Sequence, residues 1–464
     1  MSKMKYLVAS GIIVAAVAAT PLFIASGIDQ KVEETKVKLE SHGLKQEIIS
    51  KVGYLNTTRT FTLEVVDAQK VRDFLLEALV EKNPQYKLFA QNMKRQTRDE
   101  INEAFNGIKF KGEMTNSNLL ASDTTVSLAL SSLSTSLQNE LAQEKVAADA
   151  ILPLLNRGVF AADMVFGSDE KLKSFKLKDI KEELKLEAAT LSLDMGNQML
   201  DLSESGGVIT GKASIGKQAI NLHSKSVNFS TQLDNFNYGF TYKDDLNNKG
   251  DLSIDKYAFV LEEPYSTTKL SFGPIKALSS VEDVAKSLHV KADYRLNMIA
   301  FADSVQDSLN IEKLGIKLVL EGINSDTMKK IQQDYNTLLI SGATSVNDKV
   351  IIDDFVALIN NGITITLNVA MQNITGIMTL KDIGVDVTLT IPKNSYSDKQ
   401  SPLELVGLLD ITSRIKVHKE DKQTLETLSG STPEMNYGRA EGDFFIYDIV
   451  MKKGEVTING KAIQ

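Results

Sequence analysis

Hydrophobic and polar residues along this chain fall into three successive patterns. The first is an uninterrupted apolar run, Tyr6 to Ile28, with Lys3 and Lys5 before it and Asp29 after it. Roughly twenty apolar residues are what a helix needs to cross the hydrocarbon core of a bilayer. Lysines on the N-terminal side alone put the short N-terminus in the cytoplasm and the long remainder outside it. The rival reading is a cleaved signal peptide, because Ala16-Val17-Ala18 before Ala19 makes a small-residue cleavage site. The run stays apolar past that point, through Leu22, Phe23 and Ile24, which favours an uncleaved transmembrane anchor over residues 1–28. A buried core helix is the weaker alternative, since such helices are seldom apolar on every face. Both leading readings export the chain.

The second pattern has the period of a helix. Residues 29–51 are charged and free of Pro, and Ile28, Val32, Thr35 and Leu39 fall on one helical face. The spacing predicts a stalk helix over 29–51 that continues the anchor and is interrupted near Gly43. Thr60 to Val65 then alternates as a strand does. Asp67 is placed to cap a helix with Val71, Phe74, Leu75, Ala78 and Leu79 on one face, ended by Pro84. A more polar helix is expected from Leu88 to Phe105.

From Val126 onward the dominant period is two. Val126, Leu128 and Leu130 alternate with small residues, and Phe175 with Leu177 and Val227 with Phe229 continue the theme. Phe236, Tyr238, Phe240 and Tyr242 come next, then Val290 to Leu296 and Ile316 to Leu320. The clearest cases are Ile363, Ile365, Leu367, Val369 and Met371, then Val385, Val387, Leu389 and Ile391. A last pair, Phe445 to Ile449 and Val456 to Ile458, is joined across Lys452-Lys453-Gly454. Clean alternation buries one face and wets the other, which marks antiparallel sheet. Helices are expected at Ser136 to Leu155, Ser325 to Leu339 and Val350 to Asn360. The class this predicts is α+β: long antiparallel sheet with helices packed on one side, after a single transmembrane helix and stalk. The body divides into an N-terminal part over 52–270 and a C-terminal part over 271–464. Asn156-Arg157-Gly158 and Asn360-Asn361-Gly362 each end a helix before a strand, as an internal duplication would place them. The alternative is that Asn and Gly simply cap helices often.

Composition narrows the partners. The chain carries a net charge of -8, and removing an anchor that holds Lys3 and Lys5 makes the remainder more acidic still. An acidic body argues against nucleic acid, which wants a basic face, and against a polybasic grip on anionic lipid. Aromatic residues are 6% and Trp is absent, so the core must be aliphatic. Zero cysteines remove disulfides, thiolate catalysis and Cys-ligated metal together.

Several stretches imitate catalytic or binding motifs. Gly206 to Lys212 and Gly211 to Lys217 have phosphate-loop spacing, but Ala213 and Gln218 stand where Ser or Thr must hold the magnesium. No nucleotide site is expected there, only hairpin turns. Asp245 to Asp251 resembles a calcium loop, yet Lys249 takes a ligand position and Lys256 the place of the bidentate Glu. His42, His223, His289 and His418 lie in four separate segments. Ser214 to Lys217 and Ser266 to Lys269 match Ser-x-x-Lys, in strand or turn context rather than at a helix start. No catalytic residue, cofactor or metal is predicted.

The order of parts is similar to that of a known family. The residues that carry the likeness are Gly53 to Thr58, Ala292 to Leu296, Leu314 to Leu320, Gln333 to Asn336, Gly362 to Leu367 and Gly454 to Gly460. Together they resemble the YdgA-type family of exported bacterial proteins, whose role is uncharacterised. Val52 to Thr57 only approximates that family's Arg-Gly-hydrophobic-Ser-Ser step. The resemblance implies a single-pass inner-membrane anchor and a periplasmic body, and it implies no site residues. The function expected first is a non-enzymatic envelope interaction or assembly factor, with the bilayer and an envelope protein client as partners. Homo-oligomer formation stays open. The alternative is lipid binding or transfer in an apolar sheet groove lined by Ile363, Ile365, Leu367, Val385, Val387 and Leu389.

Overall fold

The structure is a computed structural model that describes residues 36–82, 90, 102, 104–117, 123–143, 145–169, 171–186, 188–303, 308–341, 348–376, 379–397, 399–424 and 437–463. The expected anchor, the first part of the stalk and most of the Leu88 to Phe105 helix lie outside the described residues. Two compact units divide at Ser203 and Glu204, with Leu338–Gly342 grouped with the first. Residue 270, the boundary expected from the sequence, lies in a paired strand, Ser266–Phe272.

In the first unit, residues 36–41 are helical and Gly43 turns the chain with φ of 84°. The next element is a strand, β1 (Leu44–Val52), so this part of the expected stalk helix is replaced by sheet. The reason is local. Leu44 and Gln46 alternate inward on β1, and its whole length pairs with β2 (Asn56–Val65). β3 (Lys109–Ser117), β4 (Thr124–Ser132), β5 (Ala161–Phe166) and β6 (Leu172–Leu177) extend the sheet in order, each antiparallel to the last. β7 (Ile180–Lys185) and β8 (Ala189–Met195) form a hairpin, and β9 (Gln198–Ser205) returns to β6.

Helix α1 (Ala68–Lys82) connects β2 to β3. Its first turn is well satisfied: Lys70 N–H donates to Asp67 Oδ1 at 3.2 Å, Ala68 N–H to Asn106 Oδ1 at 2.8 Å and Gln69 N–H to Asn102 Oδ1 at 3.0 Å. α2 (Thr135–Gln143) and α3 (Lys145–Asn156) connect β4 to β5. The inward residues Leu63, Val65, Phe110, Val126, Met164 and Phe166 pack with Leu39 and with Ala68 and Val71 of α1. Leu63, Val126 and Phe166 are 1% exposed and Met164 is fully enclosed. Burial of that kind stabilises by about 1.5–3 kcal/mol per large side chain.

The second unit is almost entirely antiparallel strand. Its strands are β10 (Val208–Ile215), β11 (Gln218–Ser224), β12 (Asn228–Asp244), β13 (Asn247–Glu263), β14 (Ser266–Phe272), β15 (Ile275–Val284), β16 (Ser287–Leu296) and β17 (Ile299–Asp303). β18 (Leu309–Asn324) leads into α4 (Ser325–Ser341) and α5 (Asp348–Asn360), and β19 (Ile363–Thr375) pairs back on β18. Then come β20 (Leu380–Ile391), the short α6 (Pro402–Leu408), β21 (Asp410–His418), β22 (Arg439–Glu441), β23 (Phe444–Lys452), β24 (Glu455–Ile458) and β25 (Lys461–Ala462). One path of hydrogen-bonded neighbours runs β10, β12, β13, β15, β16, β18, β19, β20, β21, β23. A second, shorter path runs β11, β12, β13, β14, β17, β18 beside it, so each of the three long strands serves both.

Where the two paths part, the pleat changes phase. Asn373 has φ of 51° and its Nδ2 donates to Glu312 Oε2 on β18 at 2.5 Å. Simple alternation puts Met371 and Ile374, three residues apart, on opposite faces. Both nevertheless pack in one cluster with Ile311, Leu380 and Ile383. The left-handed residue reverses the alternation and keeps the apolar side chains on one side. Asn235 on β12 repeats the device with φ of 50° and a 2.8 Å bond to Asp255.

Candidate functional site

The register of the second unit aligns the apolar residues of its longer path. Tyr238 stands opposite Leu252, Leu252 opposite Ala277, Ala277 opposite Tyr294, and Tyr294 opposite Ile316. The row continues through Val369, Val385 and Ile415 to Tyr447. Directly opposed residues share a face. The neighbouring row therefore joins Leu318, Leu367, Val387 and Ile449 on that same face, and the next joins Leu320, Ile365, Leu389 and Ile411. Four such rows cross ten strands, and no charged side chain stands in any of them. All six residues singled out from the sequence lie on this face; Ile365, Leu367, Val385, Val387 and Leu389 are central to it, and Ile363 opposite Ile391 sits at its margin.

The opposite face of the same strands is polar. Arg295 binds Asp293 through both nitrogens, at 2.9 and 2.7 Å, and Arg414 on β21 reaches Asp448 on β23 at 2.7 Å. Asn368 donates to Asp386 at 2.7 Å across β19 and β20. The hydrogen bonds from Arg295 and Arg414 hold the Asp293 and Asp448 carboxyls below the usual carboxylate range. The charged side chains of these strands thus gather on one face and are absent from the apolar rows, although Leu278 and Val319 also stand on the charged face.

Burial separates this face from the core of the first unit. Ile316, Leu318 and Leu320 are half-buried, as are Ile365, Leu367, Val369, Val385, Val387 and Leu389. Tyr238, Tyr242 and Tyr294 are more open, at 38%, 39% and 44%. Full burial is reached toward the β20–β23 end, at Ile383, Val417 and Tyr447, and at Leu288 on β16. In the first unit the corresponding aliphatic face reaches the burial of Leu63 and Val126. Here it does not.

The sequence motifs resolve into architecture. Gly206 and Gly207 both have positive φ and turn β9 into β10, while Gly211 and Lys212 are strand residues. The Asp245 loop is the β12–β13 hairpin, where Asp244 accepts from Leu246 N–H at 2.9 Å and Asn247 Nδ2 at 3.0 Å. His42 stacks on Phe74, His289 lies 3.3 Å from Glu321, and His418 accepts from Glu420 N–H. Ser266 begins β14 and bonds Glu263. Among the described residues no group of three His, Cys, Asp or Glu could hold a metal ion, and no helix is long and apolar enough to cross a membrane.

A second depression lies in the first unit, on the face of β1 to β5 away from α1. It is a shallow trough of about 440 Å³ bordered by Glu47, Ile49, Thr60, Lys111 and Glu113. Its lining is mixed in charge and offers no converging acid, base or donor set. No family model, curated protein or solved structure matches the chain.

Proposed function

We propose that this chain is a membrane-tethered envelope protein whose second unit holds the hydrocarbon chains of lipids against its apolar sheet face. The carrying observation is the contrast between the two units. The first buries its apolar side chains beneath α1, whereas the second leaves Leu318, Leu367 and Val387 half-open. Hydrocarbon suits that face because it demands no hydrogen bonds, and the strands behind it offer none, their edges being paired to neighbours. Each methylene removed from water contributes about 0.8 kcal/mol. The tyrosines at the more open end have the amphipathic character of side chains that meet lipid interfaces. Inner-membrane tethering through Tyr6 to Ile28, a periplasmic body and kinship with YdgA-type proteins are parts of the same proposal.

The test is lipid extraction from the full chain purified in mild detergent, beside Leu367→Asp and Val387→Asp. Wild type should retain phospholipid well beyond what the variants retain. A wild type no richer in lipid than the variants, or a dimer that seals the face, overturns the reading. An interaction role draws on a separate feature: β1 pairs with β2 alone among the described residues, and Ile49 and Val52 on it are 75% and 71% exposed. Such an edge can accept a client strand. In-cell crosslinking from Ile49 that captures one envelope protein reproducibly would support it, and capture of none would remove it.

A further inference from the structure

The dimensions of the apolar face carry the proposed function one step further. Ten paired strands at about 4.8 Å spacing extend the face by about 43 Å across the strands, and four alternate positions give it about 20 Å along them. A bilayer's hydrocarbon core is about 30 Å thick and is filled by two leaflets, so one lipid's chains reach about 15 Å. The uncharged rows are continuous over the whole distance, with Leu252 near one end and Ile415 near the other. No charged side chain divides them into separate pockets.

We infer that the face loads several glycerophospholipids side by side, rather than one lipid in one pocket. The inference rests on lipid binding by this face, as proposed for the second unit. Headgroups would lie at the margin, where Tyr242 is exposed.

The test places a photo-crosslinking amino acid at Leu252 and at Ile415 of the full chain and adds vesicles of dioleoyl phosphatidylethanolamine. Six strand steps, about 29 Å, separate the two positions, further than one lipid's chains reach. Doubly substituted protein should carry two lipid adducts on the same chain, read by intact mass. Saturation at one adduct per chain, with each single position reactive alone, overturns multiple loading while leaving lipid binding intact. No adduct at either position, while a crosslinker within Tyr6 to Ile28 is labelled, overturns the lipid reading itself. An adduct to a second copy of the chain does the same.

Discussion

At the scale of single residues, two asparagines and two acids govern the sheet. Asn373 and Asn235 occupy left-handed backbone that costs an ordinary side chain about 1–2 kcal/mol, and each bonds an acid on the facing strand. Asn373→Val should lower unfolding stability by about that amount, and Asn373→Gly should lose less, in matched denaturant titrations. Asp448 and Asp293 have folded pKa values below those of the unfolded chain because an arginine bonds each. Their contribution is therefore present above the unfolded carboxylate range, near pH 3.9, and is lost as pH falls through the lower folded values. Asp448→Asn should flatten that acid limb in a series of thermal melts from neutral pH downward. The change should be modest, since Arg414 is 56% exposed and solvent screens the pair.

At the scale of elements, Gly43 decides between helix and strand. A glycine inside a continuous stalk helix would gain about 1 kcal/mol on substitution by alanine. Gly43 has positive φ and lies hard against the Asp67 carbonyl, so Gly43→Ala should destabilise instead, by about 1 kcal/mol or more in a chemical melt. Helix over 36–41 agrees with the helical spacing that reaches Leu39, but nothing in that spacing announced that Leu44 onward would find a partner in β2. Alternation was legible too. It placed Ile363 to Met371 and Val385 to Ile391 on strands with one apolar face, and both are so. What alternation cannot supply is register. That ten strands align their apolar rows depends on hairpin turns and on which strand each long strand meets, and neither is written in a period of two. The pleat reversal at Asn373 was invisible for the same reason, since an odd spacing from Met371 to Ile374 reads as a broken pattern. A helical excursion between antiparallel neighbours also recurs more often than the two Asn-Gly sites suggested. Gly107, with φ of 88°, precedes β3 as Gly158 precedes β5 and Gly362 precedes β19.

At the scale of the whole molecule, the proposed tether and the sheet face are tested together only in the full chain. Carbonate-washed membranes should keep the intact protein in the pellet, and a chain released to the supernatant would contradict the span at Tyr6 to Ile28. A reporter fused to Gln464 should be active on the exported side and silent in the cytosol. The meander from β18 to β21 adds each strand beside its predecessor along the chain, without a distant segment threading between them. Length along that direction is thus set by how many such strands the gene encodes, and each further pair widens the reach by about 10 Å. A sheet built this way could match the distance it has to cover by gaining or losing paired strands, with only small buried clusters to be rebuilt at each change.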